Sequence, residues 1–190
     1  MKADATAEAT TPRPLIIGVG NRDRGDDAIG PLAAQAFADR WPDRAEVLLA
    51  EGDLSDLSLR WRHDQFVVIV DALMSGKPAG TISTIDGLDH DLPSNRRLVS
   101  SHGVGLAEAI SLAQVLERQP AGITIVGIEA CQYEHFTQLS SGVAGALSAA
   151  VDRIRQVLDE YELDTVRPAD GLGPPPLSVP ASIKDNRGSP

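Results

Sequence analysis

The sequence predicts an α/β fold: a three-layer α/β/α sandwich around a mostly parallel five-stranded sheet with one antiparallel strand. Three observations predict it. Short apolar runs occur as continuous blocks rather than alternating ones, as in strands buried on both faces. Segments of helical period separate most of them. The length, 190 residues, suits a single domain of roughly 100–200 residues.

Taken in order, Leu15-Ile16-Ile17-Gly18-Val19-Gly20 reads as the first strand, stopped by glycine. Ile29, Leu32, Ala33, Ala36 and Phe37 repeat at helical spacing, and Pro42 ends that helix. Pro31 is tolerated in its first turn. Glu46 to Ala50 is a second strand, and Leu54 to Trp61 a short helix with Asp53 as its N-cap. Phe66-Val67-Val68-Ile69-Val70 is the clearest strand, rich in β-branched residues. Gly80 to Ile85 alternates after a Ser75-Gly76-Lys77-Pro78 turn and reads as an antiparallel hairpin partner. Leu106, Ala109, Ile110 and Ala113 mark a helix ending before Pro120. Ile123 to Val126 is the last strand. Val143, Leu147, Val151, Ile154, Leu158 and Tyr161 mark a long final helix with Ser140 near its cap. Residues 1–14 read as a disordered leader and 166–190, holding 6 of the 13 prolines, as a flexible tail. That leaves 15–165 as the folded domain.

Composition narrows the function. Against 17 Lys and Arg stand 27 Asp and Glu, a net charge of −10. So acidic a surface repels phosphate backbones and anionic bilayers, so neither nucleic acid nor membrane is an expected partner. A single cysteine, Cys131, excludes an internal disulfide and a multi-cysteine zinc site. No apolar run is long enough to span a bilayer and the N-terminus has no secretory signal pattern. A cytoplasmic monomer is the expectation.

In open α/β sheets, ligands sit outside the carboxyl ends of the strands. Three polar residues fall there. Asp27 follows the first strand across the loop Asn21 to Asp26. Asp71 comes directly after the strand Phe66 to Val70. His102 lies in Ser100-Ser101-His102-Gly103, just before a helix. Each has a bland reading: Asp26 and Asp27 as acids favouring a helix N-terminus, Asp71 as a turn cap, His102 as a helix-start residue. Together they form a mixed oxygen and nitrogen set, suited to a divalent transition metal or to acid–base work.

Other constellations fit less well. Gly18-Val19-Gly20 opens like a dinucleotide fingerprint, but Asp23 takes the third glycine's place and the nearby acids oppose a pyrophosphate. Cys131 and His135 lack a local cysteine-protease signature, so Cys131 is expected as a buried structural thiol. Asp86, Asp89, His90 and Asp91 read as a solvated acidic turn and His63 as a surface residue. Neither a His-Glu-x-x-His helix nor a Gly-x-Ser-x-Gly elbow is present.

At these same residues the chain resembles the nickel–iron hydrogenase maturation endopeptidases. Ile17-Gly18-Val19-Gly20-Asn21 followed by Gly25-Asp26-Asp27-Ala28-Ile29-Gly30 is similar to that family's N-terminal signature. Val70-Asp71-Ala72 resembles its second motif and Ser101-His102-Gly103 its third. Gly127-Ile128-Glu129 and Leu139-Ser140-Ser141-Gly142-Val143 resemble its C-terminal landmarks. The similarity runs from about Leu15 to Tyr161. It implies a five-stranded α/β/α fold and an endopeptidase that removes the C-terminal extension of a nickel–iron hydrogenase large-subunit precursor after nickel insertion. It implies metal contacts at Asp27, Asp71 and His102, which are also the candidate catalytic residues. Some members carry Glu at the first position; the Asp here is one methylene shorter. No resident cofactor is expected, the nickel being carried by the substrate. A non-enzymatic metallochaperone for the same precursor is the alternative, and a Cys131–His135 peptidase a third.

Overall fold

The computed structural model describes residues 12–88 and 105–166. Its strands are β1 (Leu15–Val19), β2 (Glu46–Ala50), β3 (Phe66–Leu73), β4 (Ile82–Asp86) and β5 (Gly122–Glu129). Its α-helices are α1 (Ile29–Arg40), α2 (Leu106–Val115) and α3 (Ser141–Val166), with 3-10 turns at Gly25–Ala28 and Leu57–Leu59. The predicted fold class holds: one five-stranded sheet in the order β2-β1-β3-β5-β4, parallel except for β4.

Strand alternation divides the core in two. Val68, Val70 and Ala72 of β3, with Val126 and Ile128 of β5, face Ile29, Ala33 and Phe37 of α1 and Val143, Ala150, Ile154 and Leu158 of α3. Val67 and Ile69, with Ile123 and Ile125, face Leu57, Trp61 and the apolar side of α2. The central strands are therefore covered on both sides, as their unbroken apolar runs require.

Several details differ from the sequence expectation. The segment Leu54 to Trp61 makes a single 3-10 turn rather than a helix, and the Asp53 carboxylate accepts the N–H of Ser55 at 2.8 Å in a local turn. The antiparallel strand is not a hairpin partner of β3. It crosses to the far side of β5 and pairs Ile82–Asp86 with Ile128–Thr124. Strand β3 runs three residues beyond Val70, because β5 continues alongside and pairs Asp71, Ala72 and Leu73 with Gly127, Ile128 and Glu129. Asp71 thus lies within a strand, not after one. The leader through residue 11, the tail from residue 167 and His102 itself lie outside the described residues, as do Asp89, His90 and Asp91. At the start of the described chain, the carbonyls of Arg13 and Pro14 accept hydrogen bonds from the Gln65 side chain (2.9 Å) and the Glu46 N–H (2.8 Å).

The chain leaves β1 for β2 on one side and returns to β3 on the other. The strand order therefore reverses between β1 and β3. The last pair joining them is Gly18 with Val70, so a crevice opens where β1 stops and β3 continues. Such a switch point is the usual ligand position in an open α/β sheet.

Candidate active site

Asp27 and Asp71 meet at that crevice. The β1 chain turns off the sheet at Gly20, whose φ of +131° suits glycine alone; a Cβ there would lie 2.0 Å from the Asp27 carbonyl oxygen. At Gly30 a Cβ would lie 2.2 Å from the Val19 carbonyl oxygen and 2.5 Å from that of Val70. The glycines of the first motif therefore let the start of α1 press against the ends of β1 and β3, which carries Asp27 toward Asp71.

The two adjacent acids of the 3-10 turn part company. With three residues per turn, successive side chains diverge by about 120°. Asp26 turns inward and is fully buried. It accepts the N–H groups of Cys131 (3.0 Å), Gln132 (3.2 Å) and Ser140 (2.6 Å), the Ser140 hydroxyl (2.9 Å) and the Cys131 thiol (3.5 Å). Burial pushes its pKa up, but these donors outweigh it and hold the carboxyl below its ordinary value. Asp26 is a fastener that ties the segment after β5 to the turn bearing Asp27. Ser140 sits one residue before α3 and spends its hydroxyl on Asp26.

Asp27 is half-buried and accepts the Asn21 N–H at 3.0 Å. Burial raises its pKa, opposed by that N–H and by the Arg24 charge. Asp71 is only 8% exposed, and among the described residues its carboxylate receives one hydrogen bond, from the Ala72 N–H at 2.8 Å. Burial first, and then the negative charge of Asp27, push its pKa up to about 8. At neutral pH Asp71 therefore keeps its proton beside Asp27. Two neighbouring carboxyls of this kind offer the oxygen donors that a divalent cation uses.

His102 lies outside the described residues, four positions before α2 begins at Leu106. Among the described residues no group of three or more His, Cys, Asp or Glu stands ready to hold a metal. The described structure thus brings two of the three candidate residues together.

Cys131 is exposed rather than buried, which corrects the expectation. β5 ends at Glu129, so the chain has left the covered part of the sheet by residue 131. Its thiol faces the Asp26 carboxylate, not an imidazole, which removes support from a Cys131–His135 pair. Two residues escaped the sequence reading. Asp26 could not be told from Asp27 by composition. Tyr133 gave no signal in a mostly polar stretch, yet its hydroxyl is buried with no hydrogen-bond partner among the described residues.

Comparison with known proteins agrees with the fold. A family model described as hydrogenase maturation protease matches residues 55–157, more than half of the chain. The hydrogenase expression/formation protein HupD of Rhizobium leguminosarum bv. viciae is 27% identical over 172 residues, covering 87% of this chain and 84% of the relative. The hydrogenase 2 maturation protease of Escherichia coli K12 is 28% identical over 160 residues, covering 81% and 95%. Among solved structures, the hydrogenase maturating endopeptidase HybD of E. coli superposes with a TM-score of 0.68 at 27% identity, covering 78% of this chain and 93% of that one. The [NiFe] hydrogenase maturation protease HybD of Thermococcus kodakarensis gives 0.61 at 25% identity, covering 77% and 99%. The chain belongs to the hydrogenase maturation protease family and is accordingly a peptidase.

Proposed function

We propose that this peptidase removes the C-terminal extension of a nickel–iron hydrogenase large-subunit precursor, and that it reads the nickel already seated in that substrate. Asp27, Asp71 and His102 are the vacant ligands. The observation that carries this reading is the Asp27–Asp71 pair: two carboxyls at the switch-point crevice, one pushed up to about 8 by burial and by the other. Nickel on the docked precursor displaces the Asp71 proton and joins substrate to enzyme. The scissile peptide is then held beside the crevice, and such positioning contributes roughly 7–11 kcal/mol when alignment is good. One carboxylate of the pair serves as base toward the attacking water. A precursor without metal lacks the anchor and stays uncut.

Nickel-loaded and nickel-free precursor, each mixed with the protein and followed by intact mass, test this. The loaded form should lose its extension and the empty form should not; equal cutting of both rejects metal reading. Asp27→Asn and His102→Ala should each lower cutting about 10³-fold or more with circular dichroism unchanged. Stable complex formation without mass loss would instead favour an escort role.

A further inference from the structure

We propose that Tyr133 is a catalytic residue of this site, its phenolic O–H donating a hydrogen bond to the carbonyl oxygen of the scissile peptide. The inference rests on the Asp27–Asp71 reading above and supplies what that pair lacks. Two carboxylates bound to a cation are acceptors only, whereas peptide hydrolysis also needs a donor. As the water oxygen bonds to the carbonyl carbon, the π electron pair moves onto the carbonyl oxygen. It returns when the C–N bond breaks and a proton reaches the leaving amine. A donor aimed at that oxygen strengthens its hold as the charge develops.

Three observations point to Tyr133. First, its hydroxyl oxygen is buried and has no hydrogen-bond partner among the described residues, although buried polar groups are nearly always paired. A substrate acceptor would complete it. Second, the hydroxyl lies within electrostatic reach of both site carboxylates, whose charges join burial in pushing its pKa upward and keeping the proton in place. It nevertheless bonds to neither. Third, the residue is held from several sides. Arg24 Nε donates to the Tyr133 carbonyl at 3.0 Å, and the guanidinium carbon sits 5.8 Å from the ring centroid. The ring packs against the core beneath α1 and α3. The preceding N–H groups of Cys131 and Gln132 are pinned on Asp26. Arg24 and Asp26 lie just ahead of Asp27 at the same 3-10 turn, so donor and acid share one frame. Preorganisation of this kind is what makes a hydrogen bond effective in a transition state.

Tyr133→Phe removes one oxygen that bonds to nothing described, so the fold is not at risk and the melting temperature should match or exceed that of the wild type. With nickel-loaded precursor, kcat should fall about 10²–10³-fold while KM stays within about threefold. A kcat within about threefold of wild type overturns the assignment. So does a change confined to KM, which would make Tyr133 a ground-state contact only. Asp27→Asn run alongside separates the two readings. If Asp27→Asn cuts at the wild-type rate, the site itself is misassigned. If Asp27→Asn is inactive while Tyr133→Phe cuts normally, only the role of Tyr133 falls.

Discussion

Asp26 and Asp71 are both buried acids at the same end of the sheet, yet they do opposite things. Asp26 is surrounded by donors, from Cys131, Gln132 and Ser140, and its carboxyl is held below the ordinary range. Asp71 has the Ala72 N–H and a neighbouring negative charge, and its carboxyl is pushed up to about 8. Burial is common to both, so burial does not decide the charge; the number of fixed donors does. A carboxylate saturated with protein donors has no free valence for a ligand and serves as a joint. One left nearly bare is expensive to ionise and is released from that expense only by a cation. This contrast separates the structural acid of the first motif from the pair to which function is assigned.

The sharpest way to break the contrast is to remove the joint. Asp26→Ala would strand three N–H groups and a hydroxyl in a fully buried position. A buried donor left unpaired costs about 1–3 kcal/mol, and bonds to a charged acceptor lie at the upper end. We expect Asp26→Ala to lose about 3–5 kcal/mol in urea unfolding. A loss below about 1 kcal/mol would mean that the segment after β5 is fastened by something else.

Asp71 should behave in the reverse sense. Its folded pKa, about 8, exceeds the ordinary 3.8, so the folded state holds the proton more tightly than the unfolded chain. Its stabilising contribution is therefore complete below about pH 4 and is lost as pH rises toward 8. The slope within that window approaches about 1.4 kcal/mol per pH unit at most. Asp71→Asn keeps an acceptor for the Ala72 N–H and cannot ionise. It should flatten this slope and gain on the order of 2 kcal/mol at pH 7, while cutting of precursor disappears. Unfolding free energies measured from pH 5 to 8 in both proteins test it; parallel curves would mean that Asp71 ionises freely.

These residues also mark how far the sequence could be read. The layers and central strands were legible because β-branched runs such as Phe66–Val70 have no other economical home than a doubly covered sheet. The partner of β4 was not legible. A turn of Ser75 to Pro78 predicts a reversal of direction, but not whether the returning strand pairs with the one it left or with one still to come. The end of β3 was misplaced because a charged residue in an apolar run reads as an exit. Asp71 remains in the strand because β5 continues the ladder, and because protonation removes the charge that would exclude it. Asp27 and Asp71 were legible as acids close to where β1 and the apolar run of β3 give out, while His102 lies outside the described residues. The division of labour between Asp26 and Asp27 was not, since it depends on the handedness of one 3-10 turn. Nothing in the composition around Tyr133 could have disclosed an unpaired hydroxyl.

Glu129 supplies the finest test, being a third buried acid at this edge, opposite Leu73 at the end of β5. Its Oε1 accepts the N–H groups of Ser75 (2.6 Å), Gly76 (2.7 Å) and Lys77 (3.2 Å), and its Oε2 accepts the Ser75 hydroxyl at 2.8 Å. By the donor criterion it belongs with Asp26 as a joint, here fixing the turn between β3 and β4. Glu129→Gln preserves the Oε1 acceptor, and the Ser75 hydroxyl can rotate to accept from the new amide. Only the charge assistance is lost, about 1 kcal/mol in urea unfolding, and cutting of nickel-loaded precursor should stay within about twofold of wild type. If cutting instead collapses while the fold survives, Glu129 acts on the substrate, and donor saturation fails to distinguish a working acid from a structural one.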